Sequence, residues 1–353
     1  MFKRNIQGDE MYKYLTIKEK LLSDLTKMSP HTRLASRNAM CIKYAATRTT
    51  VDRAINELIE EGFVYSRVGS GTYVSDQNAG VKRISYWGVI LPEMGNLVYP
   101  SMLEGIQEFV HRKNVNIVIC NSDHDTCREF DHISRLIKSG IEGFIIVPCI
   151  TSEMDYRVYR LMENNHIPFV FCNRLVDGIR APFISSNSYY GGYLATEYLI
   201  NRGAKKIAYI SKKRYKSSIE RYSGYSMALR ASGFQLSDEA VLLNYNEQQE
   251  IRHLIMNYHP DAVFAFNDFV ASEVYHVFTE LHMQIGVDIS LIGYDNSTVC
   301  ELMPQKLTSV SYKASEIGYK AAEVLFDMIE SGNYPKMDVI IFQPEIVERN
   351  SCR

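Results

Sequence analysis

The chain has 353 residues, 46% of them hydrophobic and 23% charged, with a formal net charge of −2; that length suits two or three domains of ~100–200 residues each, and the balance excludes a disordered chain. No run approaches the ~20 apolar residues that cross a bilayer, and Lys3, Arg4, Asp9, Glu10, Lys13 and Lys18 replace the apolar core of a secretion signal, so a cytoplasmic protein with no membrane partner is expected. The charge is uneven: residues 1–83 hold 14 Lys and Arg against 9 Asp and Glu, net +5, and the remainder is net −7, which points the basic head at a polyanion.

Taken in chain order, Ile17, Leu21, Leu25 and Met28 form one apolar stripe of a helix from Tyr14 that ends before Pro30. Ser36 caps a second short helix running to Tyr44, and Thr47 caps a third. In that third helix Val51, Ile55, Leu58 and Ile59 share one side, while Thr49, Asp52, Arg53 and Asn56 share the other, so one face builds core and the other is free to hydrogen-bond. Gly62 ends the helix; Phe63–Val68 and Thr72–Ser75 then alternate as two strands around Gly69-Ser70-Gly71. Three helices and a hairpin make a winged helix-turn-helix, whose third helix enters the major groove while the wing reaches the flanking backbone. Arg48 and Arg67 are placed for phosphates or a guanine edge, and Thr49 and Thr50 for phosphates or a thymine methyl.

Three segments of this head resemble the GntR family of bacterial regulators: Leu34-Ala35-Ser36-Arg37, Thr47-Arg48-Thr49-Thr50-Val51, and Glu61-Gly62-Phe63 with Gly69-Ser70-Gly71-Thr72-Tyr73-Val74. The resemblance implies DNA contacts at Arg48, Thr49, Thr50, Gly69, Ser70 and Gly71, and a phosphate contact at Ser36; with Arg37, Arg53 and Arg67 these are the expected double-stranded-DNA residues. Ala35, Arg37 and Asn38 depart from the proline, acidic residue and arginine usual in the family.

The polar and small residues 76–83 read as a linker between a head, 1–75, and a body, 84–353. In the body, Tyr86–Leu91, Val115–Cys120, Gly143–Val147, Pro168–Cys172, Ile207–Ile210, Ala262–Phe266 and Ile289–Gly293 read as strands, and Ser101–Lys113, Phe130–Lys138, Glu153–Asn165, Tyr190–Asn201 and Ala271–Leu281 as helices between them. Such alternation predicts an α/β domain with parallel sheets and ligand sites at the carboxyl ends of strands. The units exceed one comfortable sheet, so two lobes around a cleft are expected.

The body resembles the LacI family over nearly all of residues 84–348. The match runs through Tyr99–Ile106, Ile167–Arg174, Gly191–Thr196, Arg221–Tyr225, Phe264–Asp268, Ile292–Asn296 and Leu307–Val310 in order. It implies a periplasmic-binding-protein-like sensor fold with two lobes. The cleft chemistry also follows from the residues: a sugar presents many hydroxyls and no charge, so its site calls for planar, fixed donors and acceptors with an aromatic face. Arg221, Asn267 and Asp295, each placed after a strand or at a helix start, supply the planar groups, with Asn173 and Arg174 from the first lobe and Tyr99 as a stacking ring.

The two resemblances together imply a homodimeric transcriptional repressor, relieved when a small-molecule effector closes the cleft; a sugar is the expected effector, with a phosphorylated or nucleoside ligand left open by Arg174 and Arg221, which serve a phosphate as well as a hydroxyl. A sugar-binding transport or chemosensory protein would share the body but lack the head. No nucleophile–base set or phosphate-cradling loop argues for an enzyme, Gly69-x-Gly71 leads into a strand where a dinucleotide loop would open a helix, and no cofactor or metal is expected. Asp123, His124, Asp125 and His132 lack coherent metal spacing, the seven cysteines include no C-x-x-C pair, and Trp87 belongs to the core.

Overall fold

The computed structural model describes residues 6–25, 27–67, 69–75, 85–151, 154–212, 216–332 and 338–353, with side chains from residue 16 onward. The linker expected at 76–83, Val68 of the first wing strand, and Glu153 at the start of one expected helix lie outside the described residues. The chain divides into two compact units, Met1–Arg83 and Ile84–Arg353.

In the first unit, α1 (Ile6–Leu25), α2 (Arg37–Lys43) and α3 (Arg48–Glu60) precede an antiparallel hairpin of β1 (Val64–Arg67) and β2 (Gly71–Val74). Val51, Ala54, Ile55 and Leu58 of α3 are fully buried against Ile17, Leu21 and Leu25 of α1 and Met40 of α2, so the apolar stripes read from the sequence make this core. Thr47 caps α3 by accepting from Thr50 N, and Ser36 caps α2 by accepting from Ala39 N. Lys18 ties α1 to α3 through Glu57 and Glu61. The α1 helix begins eight residues before Tyr14 and stops at Leu25; its opening turns, with Gly8, Asp9 and Glu10, carry no apolar stripe to announce them.

The second unit has two six-stranded sheets. Its elements run β3 (Ser85–Leu91), α4 (Tyr99–His111), β4 (Val115–Asn121), α5 (Thr126–Lys138), β5 (Gly143–Ile146), α6 (Arg157–Asn164), β6 (Phe169–Cys172) and β7 (Phe183–Ser186). They continue with α7 (Ser188–Asn201), β8 (Ile207–Ser211), α8 (Lys216–Ala231), β9 (Val241–Leu243), α9 (Gln248–Tyr258), β10 (Ala262–Ala265) and α10 (Asp268–Glu280). The last are β11 (Ser290–Asp295), α11 (Val299–Leu302), β12 (Thr308–Ser311), α12 (Ala314–Ser331), β13 (Val339–Phe342) and β14 (Glu345–Val347). One sheet has the order β4-β3-β5-β6-β7-β13, all parallel; the other has β9-β8-β10-β11-β12-β14, parallel except for β14. The chain therefore passes between sheets after β7, after β12 and after β13, which makes two lobes joined by three strands. Asn187 binds two of these passages together, donating N–H to Phe342 O at 2.9 Å and accepting from Tyr190 N as the cap of α7.

Each lobe packs a helix pair backbone to backbone through glycine. A Cβ on Gly105 of α4 would lie 1.9 Å from Ser315 O of α12, and one on Gly318 of α12 would lie 2.0 Å from Met102 O. In the other lobe a Cβ on Gly192 of α7 would lie 2.1 Å from Arg221 O of α8, and one on Gly224 would lie 2.0 Å from Tyr189 O. No side chain fits in that space. Gly318→Ala is therefore expected to overpack the α4–α12 contact at a cost of ~1–3 kcal/mol and to lower the melting temperature by several degrees in calorimetry. An unchanged transition would contradict the close approach.

Candidate nucleic-acid interface and ligand cleft

The polar face of α3 starts at its cap. Thr47 Oγ1 lies 3.0 Å from Thr49 Oγ1 and 2.7 Å from Thr50 Oγ1, so part of the hydroxyl capacity at this helix start is already engaged locally. Arg48 is 72% exposed, with Asp52 the nearest acid at 3.8 Å. Asp52 also accepts from Arg37 Nε at 2.8 Å, so the guanidinium of Arg37 is anchored to α3. Arg53 is exposed beside Glu57, one turn along, and the Ser36 hydroxyl serves its own helix cap.

At the wing, Gly69 and Gly71 have φ of +74° and +130°, a backbone that favours glycine. Arg67 is held over the stacked rings of Tyr65 and Tyr73, its guanidinium carbon 5.5 and 5.4 Å from the two centroids. Ser70 Oγ lies 2.5 Å from Tyr73 OH. The wing arginine is thus mounted on an aromatic platform that restricts its motion. The tyrosines went unnoticed in the sequence, although their alternation with Ser66 and Thr72 places both on one face of the hairpin.

In the second unit, all six residues expected at the ligand site line one cavity of about 330 Å³ between the lobes. Tyr99 opens α4, Asn173 and Arg174 follow β6, Asn267 caps α10, and Asp295 ends β11. Arg221 stands in the second turn of α8, further into its helix than the sequence suggested. Its guanidinium is 4% exposed, donates to Phe266 O at 2.7 Å and Asp295 Oδ1 at 3.1 Å, and lies over the Tyr294 ring at 3.5 Å. Its Nε has no hydrogen-bond partner among the described residues.

Burial works against the charge on Arg221, and Asp295 and the surrounding tyrosines outweigh it, so the group stays protonated. Burial pushes the Asp295 carboxyl up to about 7, with Arg221 pulling the other way and Asp268 adding to the rise. Asp268 accepts from Ser309 Oγ and Ser297 N, both at 2.7 Å, which ties the start of α10 to β12 and to the turn after β11. Asp295, Asn296 and Asn173 all carry positive φ, +100°, +51° and +61°. Such backbone is costly for residues with a Cβ and gathers where a site holds its groups in fixed positions. Arg349 secures the turn by donating to Asn296 Oδ1 at 2.9 Å and Leu307 O at 2.9 Å.

Several groups in the cavity wall were not read from the sequence. Tyr99 is 3% exposed and packs into the lobe core, whereas Phe269, 49% exposed, offers a more open ring to the cavity. Lys212 follows β8 and pairs with Glu273 at 2.7 Å, and Tyr312 spans the second passage between lobes and donates to Asn173 Oδ1 at 2.9 Å. Asn267 spends Oδ1 on Val270 N at 2.9 Å, leaving its amide nitrogen as the group it can offer the cavity. Trp87 is fully buried beside Phe326. Among the described residues no three His, Cys, Asp or Glu side chains converge as a metal site, and no helix is long and apolar enough to cross a membrane.

Residues 13–74 match the model of bacterial regulatory proteins of the gntR family, and residues 196–352 match that of the periplasmic binding protein-like domain. The HTH-type transcriptional repressor PurR of Vibrio atlanticus is 32% identical over 75% of this chain and 80% of its own length. The chain belongs to this family of bacterial transcriptional repressors. The arabinose metabolism transcriptional repressor of Geobacillus stearothermophilus is 27% identical to it over 97% of this chain and 98% of the relative, so that likeness spans head and body alike. The body of the repressor also shares its fold with a LacI family transcriptional regulator from Enterococcus faecium solved with bound ribose, with a TM-score of 0.66 and 23% identity over 76% of this chain and 98% of the other. It is a DNA-binding regulator that answers to a small molecule.

Proposed function

We propose that the repressor holds a neutral sugar between its lobes through Arg221, Asp295, Asn267, Asn173 and Arg174, and that the sugar loosens its grip on a pseudo-palindromic operator. One observation carries the choice of ligand: the cavity is rich in charge, yet its charges face one another. Arg221 meets Asp295, Lys212 meets Glu273, and Glu93, which accepts from Asn96, feels the charge of Arg174. Such a wall offers directed donors and acceptors with little net field, which suits hydroxyls better than a phosphate. The relatives named for arabinose metabolism and solved with ribose agree in kind. A thermal-shift screen of sugars, sugar phosphates and nucleosides tests the reading, because a ligand of the folded state raises its melting temperature; a shift from nucleosides alone would overturn it.

The contacting surfaces of the head are Arg48, Thr49, Thr50 and Arg53 of α3, Ser36 and Arg37 of α2, and Arg67 with Gly69, Ser70 and Gly71 of the wing. A homodimer matches two heads to two half-sites. Phosphate neutralisation makes operator affinity fall steeply with added salt, whereas affinity for a neutral sugar stays level; equal salt slopes in the two titrations would contradict this division.

The raised Asp295 carboxyl gives a signed pH effect. An ionised carboxylate accepts from sugar hydroxyls more strongly than the neutral acid does, so sugar affinity is expected to weaken as pH falls from 8 to 6 through the region near 7. Folding has the opposite sign: a carboxyl whose folded value is raised contributes stability that is present at low pH and lost as pH rises through about 7. Calorimetric titrations of wild type and Asp295→Asn at each pH separate the two. A wild-type affinity that does not change with pH would count against a direct role for the carboxylate.

A further inference from the structure

The cavity around Arg221 is not the whole of the cleft. A second chamber of about 540 Å³ shares Asn173, Arg174 and Ser217 with it and extends along the ends of β7 and β13. Helix α8 serves both: Ser217 borders the two, Arg221 faces the first, and Lys216 and Glu220 face the second. A buried polar relay joins them. Ser185 Oγ, on the second-chamber wall, lies 3.0 Å from Tyr312 OH, which donates to Asn173 Oδ1 at 2.9 Å. That bond fixes the orientation of the Asn173 amide at the shared border.

The second lining has the same character as the first. Ser186 and Asn187 bring polar groups, Asp177 and Glu220 bring acids, Arg174 and Lys216 bring bases, with Lys216 acting on the Glu220 carboxyl, and Ile341 and Tyr189 bring apolar surface. Two acids beside two bases do not make an anion site. Hydroxyl-scale donors and acceptors next to apolar patches match the two faces of a sugar ring. The first chamber sits at the lower end of the ~300–1,000 Å³ typical of ligand sites, so a ligand that fills both is longer than one ring.

We propose that the second chamber is a subsite for a further sugar unit, and that the effector is an oligosaccharide of two units held on both sides of Ser217 and Asn173. This rests on the reading of the cleft as a sugar site. The full chain is titrated by calorimetry with arabinose, ribose and glucose, with arabinobiose, cellobiose and maltose, and with glucose 6-phosphate. At least one disaccharide is expected to bind about tenfold more tightly than its constituent monosaccharide, since each additional ring adds paired hydroxyls. In Glu220→Ala, and separately in the exposed Asp177→Ala, that advantage is expected to shrink to about threefold or less.

A monosaccharide that binds at least as well as every disaccharide overturns the subsite and leaves the sugar reading intact. A gain seen only with glucose 6-phosphate also overturns it, in favour of an anion. If no sugar of either length binds, the sugar reading itself fails and the subsite falls with it. A disaccharide advantage that survives both substitutions removes the second chamber as its source.

Discussion

Arg221→Lys is expected to lower sugar affinity about 100-fold, roughly 2.7 kcal/mol, while the chain still folds and still binds DNA. The charge survives in lysine, so Asp295 is not stranded in the lobe with no counter-ion, an outcome that would cost ~3–5 kcal/mol of stability in an alanine variant. What lysine cannot reproduce is the planar fork. Arg221 donates at once to Phe266 O and Asp295 Oδ1 from a plane stacked on Tyr294, and a single ammonium reaches those points only by giving up one of them. Its third edge, carrying the Nε that has no hydrogen-bond partner among the described residues, is buried in the same place. Titration calorimetry of the variant checks the result. An affinity within about threefold of wild type would mean that Arg221 is a structural strut and that recognition lies elsewhere in the wall.

Arg48→Ala is expected to weaken operator binding by about 10–100-fold, the ~1–3 kcal/mol of a good side-chain contact to a base edge. Sugar binding should not change. The substitution is structurally mild, since Arg48 is 72% exposed and its nearest acid stands 3.8 Å away, while the residues that hold α3 in the head, Val51, Ala54, Ile55 and Leu58, face the other side. Removal of Arg67 should be gentler and less sequence-dependent, because a wing arginine reaches backbone more than base. Fluorescence anisotropy on wild type and both variants, at two salt concentrations, distinguishes base reading from phosphate contact: loss of a phosphate contact also flattens the salt slope. A wild-type affinity in Arg48→Ala would remove α3 as the reading helix.

The head was largely legible because its signals are local. Caps at Ser36 and Thr47, an apolar stripe at helical spacing, and glycines at a hairpin tip each depend on a few neighbouring residues, and the structure bears them out. The cavity-lining residues were legible for a related reason: in parallel α/β lobes a polar residue just after an apolar strand lands at the strand's carboxyl end, and Asn173, Asn267 and Asp295 all do so. The passages between lobes were not. Phe183–Ser186 and Thr308–Ser311 are short and rich in serine and threonine, so they lack the apolar run that announces a strand, although Ser185, Ser186, Thr308 and Ser309 are buried. Nor could spacing foretell Lys212 with Glu273 or Tyr312 with Asn173, pairs separated by 61 and 139 residues. Such partners meet only once the sheets are assembled.

The glycine contacts link the fold to the cleft. Gly192 lets α7 lie against the backbone of Arg221 itself, so the position of the guanidinium is set partly by a residue that never touches the ligand. A methyl group at Gly192 is expected to lower melting temperature and sugar affinity together, whereas Gly318→Ala, in the other lobe, should act chiefly on stability. Thermal melts paired with calorimetric titration distinguish the two; equal loss of affinity in both variants would contradict a local effect on Arg221.

On the proposed reading one chain binds DNA with its head and a sugar with its body, and the second event weakens the first. Duplexes selected from a random pool with the wild-type protein are measured for affinity by anisotropy with and without the sugar identified in the thermal-shift screen, for wild type and Arg221→Lys. The sugar is expected to lower wild-type DNA affinity by at least about tenfold, a coupling of about 1.4 kcal/mol or more, and the substitution to abolish the change at the same sugar concentration while DNA binding persists. A sugar that binds the wild-type body and leaves its DNA affinity unaltered, or strengthens it, would overturn relief of repression by sugar.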